Sequence, residues 1–209
     1  MGDFDQRLKV KRKTGDECFF SPAGLSRSTV LDFWKWAFSD LVTNSMRGLV
    51  AEFIVASALG VSLDVRNPWL HYDLTAKSGL KVEVKSAAYL QSWPQTKESP
   101  ISFSVAKARK WAYPPARLLG QLKRYADLYV FCVLKHRRKR SLNPLNLGQW
   151  DFYVIDAKAL NKGVGNQKIL SLNKLLKLSP VKTNYEQLKV TVNRWGRRCN
   201  KRMTERGDR

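Results

Sequence analysis

Asp73, Glu83 and Lys85 are the residues of this chain whose types and spacing best suit chemistry. They fall in two β-prone stretches, Tyr72-Asp73-Leu74 and Val82-Glu83-Val84-Lys85-Ser86, with turn residues Lys77-Ser78-Gly79 between them. Side chains alternate along a strand, so Glu83 and Lys85 share one face while Val82 and Val84 point the other way, into an apolar layer. A hairpin sets Asp73 beside Glu83, with Lys85 next to both. Two close carboxylates repel each other unless positive charge lies between them. Magnesium suits that place: it prefers hard oxygen ligands, keeps several waters, clamps phosphate and lowers the pKa of a bound water. Lys85 can orient that water or stabilise charge growing on phosphorus. A surface hairpin with a cross-strand salt bridge accounts for the same residues without any chemistry.

The element before this hairpin bears on the choice. Asn44-Ser45 predicts a fresh N-cap, followed by a helix from about Met46 to Leu59 that stops at Gly60. From Gly48 onward this helix is apolar almost all round, which predicts burial, and Glu52 is the one charge in that stretch. A buried carboxylate without a partner is costly. Either Arg47 or another base neutralises Glu52, or Glu52 completes a metal site.

Composition narrows the partner. The chain has 209 residues, 44% of them apolar, and 7 tryptophans, enough for one domain with a real core. Its 38 Lys and Arg against 17 Asp and Glu give a net charge of +21. That excess calls for a polyanion, of which nucleic acid is the simplest, and no long basic amphipathic helix favours a membrane surface. No uncharged run is longer than Phe53 to Leu63, which is too short to span a bilayer, and the N-terminus is polar and acidic, unlike a signal peptide. The cytoplasm is the expected compartment. Cys18, Cys132 and Cys199 form neither a disulfide framework nor a zinc spacing, and His71 and His136 sit in no histidine-nuclease or zinc motif.

The remaining elements follow in order. Residues 1–27 read as a basic lead-in, 28–193 as the folded domain and 194–209 as a basic tail. Ser28-Thr29 caps a helix to about Val42, with an apolar stripe of Leu31, Trp34, Trp36, Phe38 and Leu41. After a polar loop, Ile101–Val105 alternates as a strand, followed by Lys107, Arg109 and Lys110. Pro114-Pro115 marks a break, and Arg117–Tyr125 predicts a short helix. Leu128–Leu134 is a nearly continuous apolar run, as in a central strand covered on both faces. The densest basic cluster follows, with Arg137, Arg138, Lys139 and Arg140 in an exposed loop suited to phosphate. Trp150–Ile155 is another core strand. A mixed sheet flanked by helices accommodates this α/β order.

The succession of helix-borne Glu52, strand-borne Asp73 and Glu83-Val84-Lys85 resembles the PD-(D/E)XK nuclease superfamily, with its restriction-endonuclease-like fold. The resemblance covers roughly Met46 to Ile155. Gln121-Leu122-Lys123-Arg124-Tyr125 resembles the Q-x-x-x-Y pattern some members carry on a later helix. The proline that usually precedes the Asp is absent, since His71-Tyr72 stands there, and Asp64 is the fallback acid. The resemblance implies hydrolysis of DNA phosphodiesters, on duplex or branched DNA, by an enzyme that often acts as a homodimer. It implies magnesium, with manganese as a substitute, held by Asp73, Glu83 and the Val84 carbonyl. Glu52 takes a second ion or a water, and Lys85 acts on the attacking water. Arg47, Ser86, Gln91 and Gln121 are then neighbours of the phosphate. A non-catalytic basic DNA-binding protein on the same fold is the rival expectation, and an RNA-binding protein is a third.

Overall fold

The apolar run Leu128–Leu134 becomes the middle strand of a five-stranded mixed sheet, and each of its residues is buried. The computed structural model describes the backbone of residues 8–112 and 117–207 and the side chains of 8–110 and 119–196. Its elements in chain order begin with β1 (Cys18–Ser21), β2 (Gly24–Thr29), α1 (Val30–Phe38), α2 (Asn44–Leu59), β3 (Leu74–Thr75) and β4 (Lys81–Ala88). Then come β5 (Ser102–Ser104), β6 (Ala108–Ala112), β7 (Arg117–Lys123), β8 (Leu128–Leu134), β9 (Trp150–Asp156) and α3 (Ala157–Val164). The chain closes with β10 (Ile169–Ser171), α4 (Leu172–Lys177), β11 (Val181–Thr183) and α5 (Tyr185–Gly207).

The main sheet has the order β11-β9-β8-β4-β3, and only the β4–β8 pair is parallel. Alternation along β8 splits the core. Leu128, Val130, Cys132 and Leu134 face one layer with Val82 and Val84 of β4, Ile54 and Val55 of α2, and Leu188 and Val192 of α5. Tyr129, Phe131 and Val133 face the other, with Phe103 of β5, Leu160 of α3, Leu170 of β10 and Leu175 of α4. A sheet filled on both faces explains why β8 can be apolar at every position. The expected mixed sheet flanked by helices is the architecture formed.

Four local expectations are corrected. The lead-in contains a β1–β2 hairpin. Helix α1 ends at Phe38, and none of its aromatic stripe is fully buried: Trp34 is half-buried and Trp36 is 85% exposed. Both faces of the sheet are already covered, so no core remains for α1, and the Thr29–Asp32 capping box holds it locally. Residues 117–123 form a strand antiparallel to β6, not a helix, since Gly120 takes a left-handed φ of +77° that interrupts any helix there. The Pro114-Pro115 break lies outside the described residues. The basic tail continues helix α5 to Gly207.

Helix α2 stops at Gly60 in the left-handed conformation, as the sequence suggests, but its N-cap is Thr43 and not the expected Asn44-Ser45, which form its first turn. It is less buried than its composition implies, with Phe53 62% exposed. Helix α5 meets the β3–β4 turn at Gly196, where an added Cβ would stand 2.8 Å from both Cβ and Oγ of Ser78. Gly196→Ala gains helix propensity but overpacks that contact, so a net destabilisation of about 1–3 kcal/mol is expected. Urea unfolding checks it, and Ser78→Gly should restore most of the loss in the double variant. Equal stability of Gly196→Ala and wild type would remove this contact as a constraint on the turn.

Candidate active site

The β3–β4 hairpin forms where the sequence places it. Leu74 pairs with Val82 and Thr75 with Lys81, and the turn closes with Gly79 donating its amide to the Ala76 carbonyl at 2.8 Å. Gly79 has φ +83°, a conformation that favours glycine. Asp73 donates its amide to the Val82 carbonyl at 3.1 Å, one step beyond the β3 ladder. There the backbone stops pairing and the side chain takes over: Asp73 Oδ2 accepts the Val84 amide at 2.7 Å. On the face of β4 opposite Val82 and Val84, Lys85 Nζ donates to Glu83 Oε1 at 2.6 Å.

Asp73 sits in a frustrated field. Burial, then the charge on Glu83, then the charge on Glu52 push its carboxyl up to about 7, against the opposing pull of the Val84 amide and Lys85. Helix α2 packs on the Val82 and Val84 face, whereas Glu83 points away from it. Asp73 stands at the sheet edge, and both acids act on it. The Glu52 carboxylate is ion-paired with Arg66, which donates from Nη2 at 2.9 Å and also from Nε. The raised affinity of Arg66 for its proton comes first from that hydrogen bond with Glu52. A cavity of about 660 Å³ is lined by Glu52, Asp64, Arg66 and Asp73. Tyr129, paired in register with Glu83, is buried, and its phenol is pushed up by burial and then by the Glu83 charge. Among the described residues, no three His, Cys, Asp or Glu side chains lie close enough together to hold one metal ion.

The other expected site residues divide into groups. Arg47, Ser86 and Gln91 come together: Arg47 is only 4% exposed and donates to Gln91 Oε1 at 3.1 Å and to Ser86 Oγ at 3.4 Å. Its remaining acceptors are the Val42 carbonyl and Asn44 Oδ1, and burial lowers its pKa. Lys107 donates to Asn166, and Arg109 and Lys110 lie on or beside an exposed hairpin. Gln121 is exposed on β7, and its carbonyl accepts the Tyr125 hydroxyl at 2.8 Å, so Q-x-x-x-Y sits on a strand end, not a helix. In the basic cluster, Arg137 pairs with Glu98 and stacks 3.9 Å from the Tyr89 ring, and Lys139 donates to the Trp93 carbonyl. These two cations latch neighbouring loops, while Arg138 and Arg140 are exposed.

Sequence reasoning missed Arg66 and Tyr129. The need of Glu52 for a cation is the signal that points to Arg66, but nothing in the spacing selects Arg66 over Arg47. Tyr129 hides inside an apolar strand, and only its register opposite Glu83 exposes it.

Residues 33–174 match the family model of bacteriophage T4 endonuclease IV, well over half of the chain. The chain belongs to the bacteriophage T4 endonuclease IV family. No curated protein matches it. Membership in this endonuclease family implies a nuclease that cleaves DNA, in keeping with the net charge of +21. The matched stretch contains Glu52, Asp73, Glu83 and Lys85, and it ends before β11 and α5. No helix among the described residues is long and apolar enough to cross a membrane.

The Asp73 carboxyl gives a pH-dependent prediction for this T4 endonuclease IV family member. A folded-state pKa near 7 lies above the unfolded value of about 4, so the folded state holds the extra proton between them. The stability linked to Asp73 is therefore complete below about pH 4 and lost as pH rises through 7. Asp73→Asn keeps an acceptor for the Val84 amide and removes the charge. In chelator, it should raise the melting temperature relative to wild type at pH 8, by the equivalent of about 1–3 kcal/mol, with no gain at pH 4. A variant less stable than wild type at pH 8 would contradict this electrostatic picture.

Proposed function

We propose that the chain is a magnesium-dependent endodeoxyribonuclease of the PD-(D/E)XK, restriction-endonuclease-like type, hydrolysing phosphodiester bonds in duplex or branched DNA. The observation that carries this reading is the Asp73 carboxyl, half-buried at a sheet edge, where its Oδ2 accepts the Val84 amide and the charges of two further acids both raise its pKa. Such a group gains when a cation arrives, and membership in an endonuclease family gives that cation a purpose.

The donor set fits magnesium. The ion needs only one or two carboxylates, with waters and phosphate oxygens completing its shell. Asp73 and Glu83 meet that requirement. In an extended strand a residue's N–H and C=O face the same edge, so the Val84 carbonyl is directed to the edge where Asp73 accepts the Val84 amide. Bound there, magnesium or manganese would supply Lewis acidity and neutralise charge gathering on the phosphate.

The chain's own residues do the rest. Glu83 fixes the Lys85 ammonium within the site, where it orients the attacking water and stabilises negative charge on the phosphorane. Glu52 adds negative potential from the helix side, and Arg66 beside it meets an incoming phosphate. The water oxygen bonds to phosphorus and gives up a proton. One bridging P–O bond breaks, and its oxygen leaves protonated. A phosphate monoester end and a hydroxyl end result.

The ion pairs of Glu52 and Glu83 favour the rival reading, a basic DNA-binding protein that does not cut. Turnover decides between them. Wild type should nick or cut plasmid and duplex DNA in magnesium and stop in chelator. Glu83→Gln and Lys85→Met should each lose about 10²–10³ in kcat while still binding duplex in chelator. Magnesium should raise the melting temperature of wild type but not of Asp73→Asn. Binding without cleavage by wild type, and no magnesium-dependent shift, would leave only the non-catalytic reading.

A further inference from the structure

The cavity of about 660 Å³ beside α2 inverts the charge of the protein around it. The chain carries +21 overall, yet three acids, Glu52, Asp64 and Asp73, line this cavity against one base among its described residues, Arg66. Phosphate entering it meets negative charge. Arg66 and Asp64 also line a neighbouring cavity of about 740 Å³, so the guanidinium borders both spaces.

The three acids of the site are compensated unequally. Glu83 accepts Lys85 Nζ at 2.6 Å, and Glu52 holds Arg66 through both carboxylate oxygens, with Nη2 at 2.9 Å from Oε1. Asp73 accepts the Val84 amide and, among the described residues, has no ion pair. The two cations are also held differently. Lys85 belongs to β4, whose register is locked on β8. Arg66 belongs to the irregular segment between α2 and β3, and its side chain is 44% exposed against 14% for Glu52. A bidentate guanidinium–carboxylate pair is geometrically specific, but a pair this open to water adds little to stability. A divalent cation competes with it well. The same planar fork matches phosphate oxygens as closely as it matches a carboxylate.

We infer that Arg66 is a displaceable counter-ion and a catalytic residue: it neutralises Glu52 in the metal-free site, and a divalent cation arriving beside Asp73 draws Glu52 away and releases the guanidinium to the scissile phosphate. The inference rests on the proposed nuclease function and supplies its order of events. Metal uptake turns a cation that faces an acid into a cation that faces the substrate. DNA binding and ion binding are then coupled through one side chain, and coupling of this kind is read from binding alone.

The full chain is titrated with a labelled DNA oligonucleotide, single-stranded and annealed, in chelator and in calcium, a divalent ion that takes oxygen ligands. Wild type should bind DNA about tenfold tighter in calcium. Arg66→Ala should lose most of that gain yet stay within about threefold of wild type in chelator, where Glu52 already occupies the guanidinium. Glu52→Gln should free Arg66 without any ion and tighten binding in chelator by about fivefold, a gain that Glu52→Gln/Arg66→Ala should lose. Arg66→Lys keeps the charge but not the fork, so it should retain only part of the calcium gain. Without DNA, calcium should bind Arg66→Ala about threefold tighter than wild type, followed by its shift of the melting temperature, because Glu52 no longer has to leave a partner. A guanidinium that only braces the loop would weaken binding equally in chelator and in calcium. That result, an undiminished calcium gain in Arg66→Ala, or weaker calcium binding by that variant would each overturn the exchange. If wild type cuts DNA in magnesium and Arg66→Ala cuts equally well, the exchange fails and the nuclease reading stands. If the binding pattern holds but wild type does not cut, the nuclease reading fails and the ion-driven release of Arg66 to phosphate stands.

Discussion

Where β3 runs out, the Val84 amide of β4 turns to the Asp73 carboxylate, 2.7 Å away, in place of a neighbouring strand. An interior amide needs an acceptor, and here the acceptor is an acid. That substitution fixes the carboxylate at the sheet edge with little freedom to move. It also places it where the charges on Glu83 and Glu52 act on it together. Much of the site's character comes from the single fact that a backbone requirement is met by a group that resents being charged there.

The sheet holds this arrangement because its two faces have separate duties. Val82 and Val84 are locked among α2, α5 and the even-numbered residues of β8, so β4 cannot slip by one residue without exposing them. The same register forces Glu83 and Lys85 to the opposite side, next to Tyr129. Parallel pairing of β4 with β8 over seven positions, and antiparallel pairing of β8 with β9 over seven more, hold that register from both sides of β8. The ion pair between Glu83 and Lys85 rides on a packed core and is not itself needed to define the strand. Partly exposed pairs of this kind contribute little to stability, so they can be rearranged by a ligand without threatening the fold.

Legibility in the sequence followed this division. The hairpin around Lys77-Ser78-Gly79, the buried strand Leu128–Leu134 and the helix stopping at Gly60 all carry strong local signals, and the structure has each of them. Arg117–Tyr125 was illegible for a physical reason. Leu118, Leu119 and Leu122 fit helical spacing, and only the left-handed Gly120 and pairing with β6 make the segment a strand. Helix α1 misled in another way, since its aromatic residues promise a core that the sheet has already filled. At the site, Asp73, Glu83 and Lys85 could be placed by alternation alone. The pairing of Glu52 with Arg66 could not, because the segment between Gly60 and Asp73 has no periodicity from which to infer a contact.

Charge ties these levels together. A chain with a net charge of +21 draws polyanions from a distance, yet the position of Asp73 presents carboxylates at short range. Phosphate approaching that point meets repulsion unless a cation is present. A cation likewise gains from the phosphate oxygens that complete its shell. Under the proposed reading, ion and DNA therefore favour each other's binding, and by thermodynamic linkage the two effects are equal. The basic surface alone then suffices for DNA binding without the ion, while productive seating of the scissile phosphate requires both. Under that same reading, the acids would act as a gate within a basic protein, keeping the phosphate away from Lys85 until the charge that permits hydrolysis has arrived.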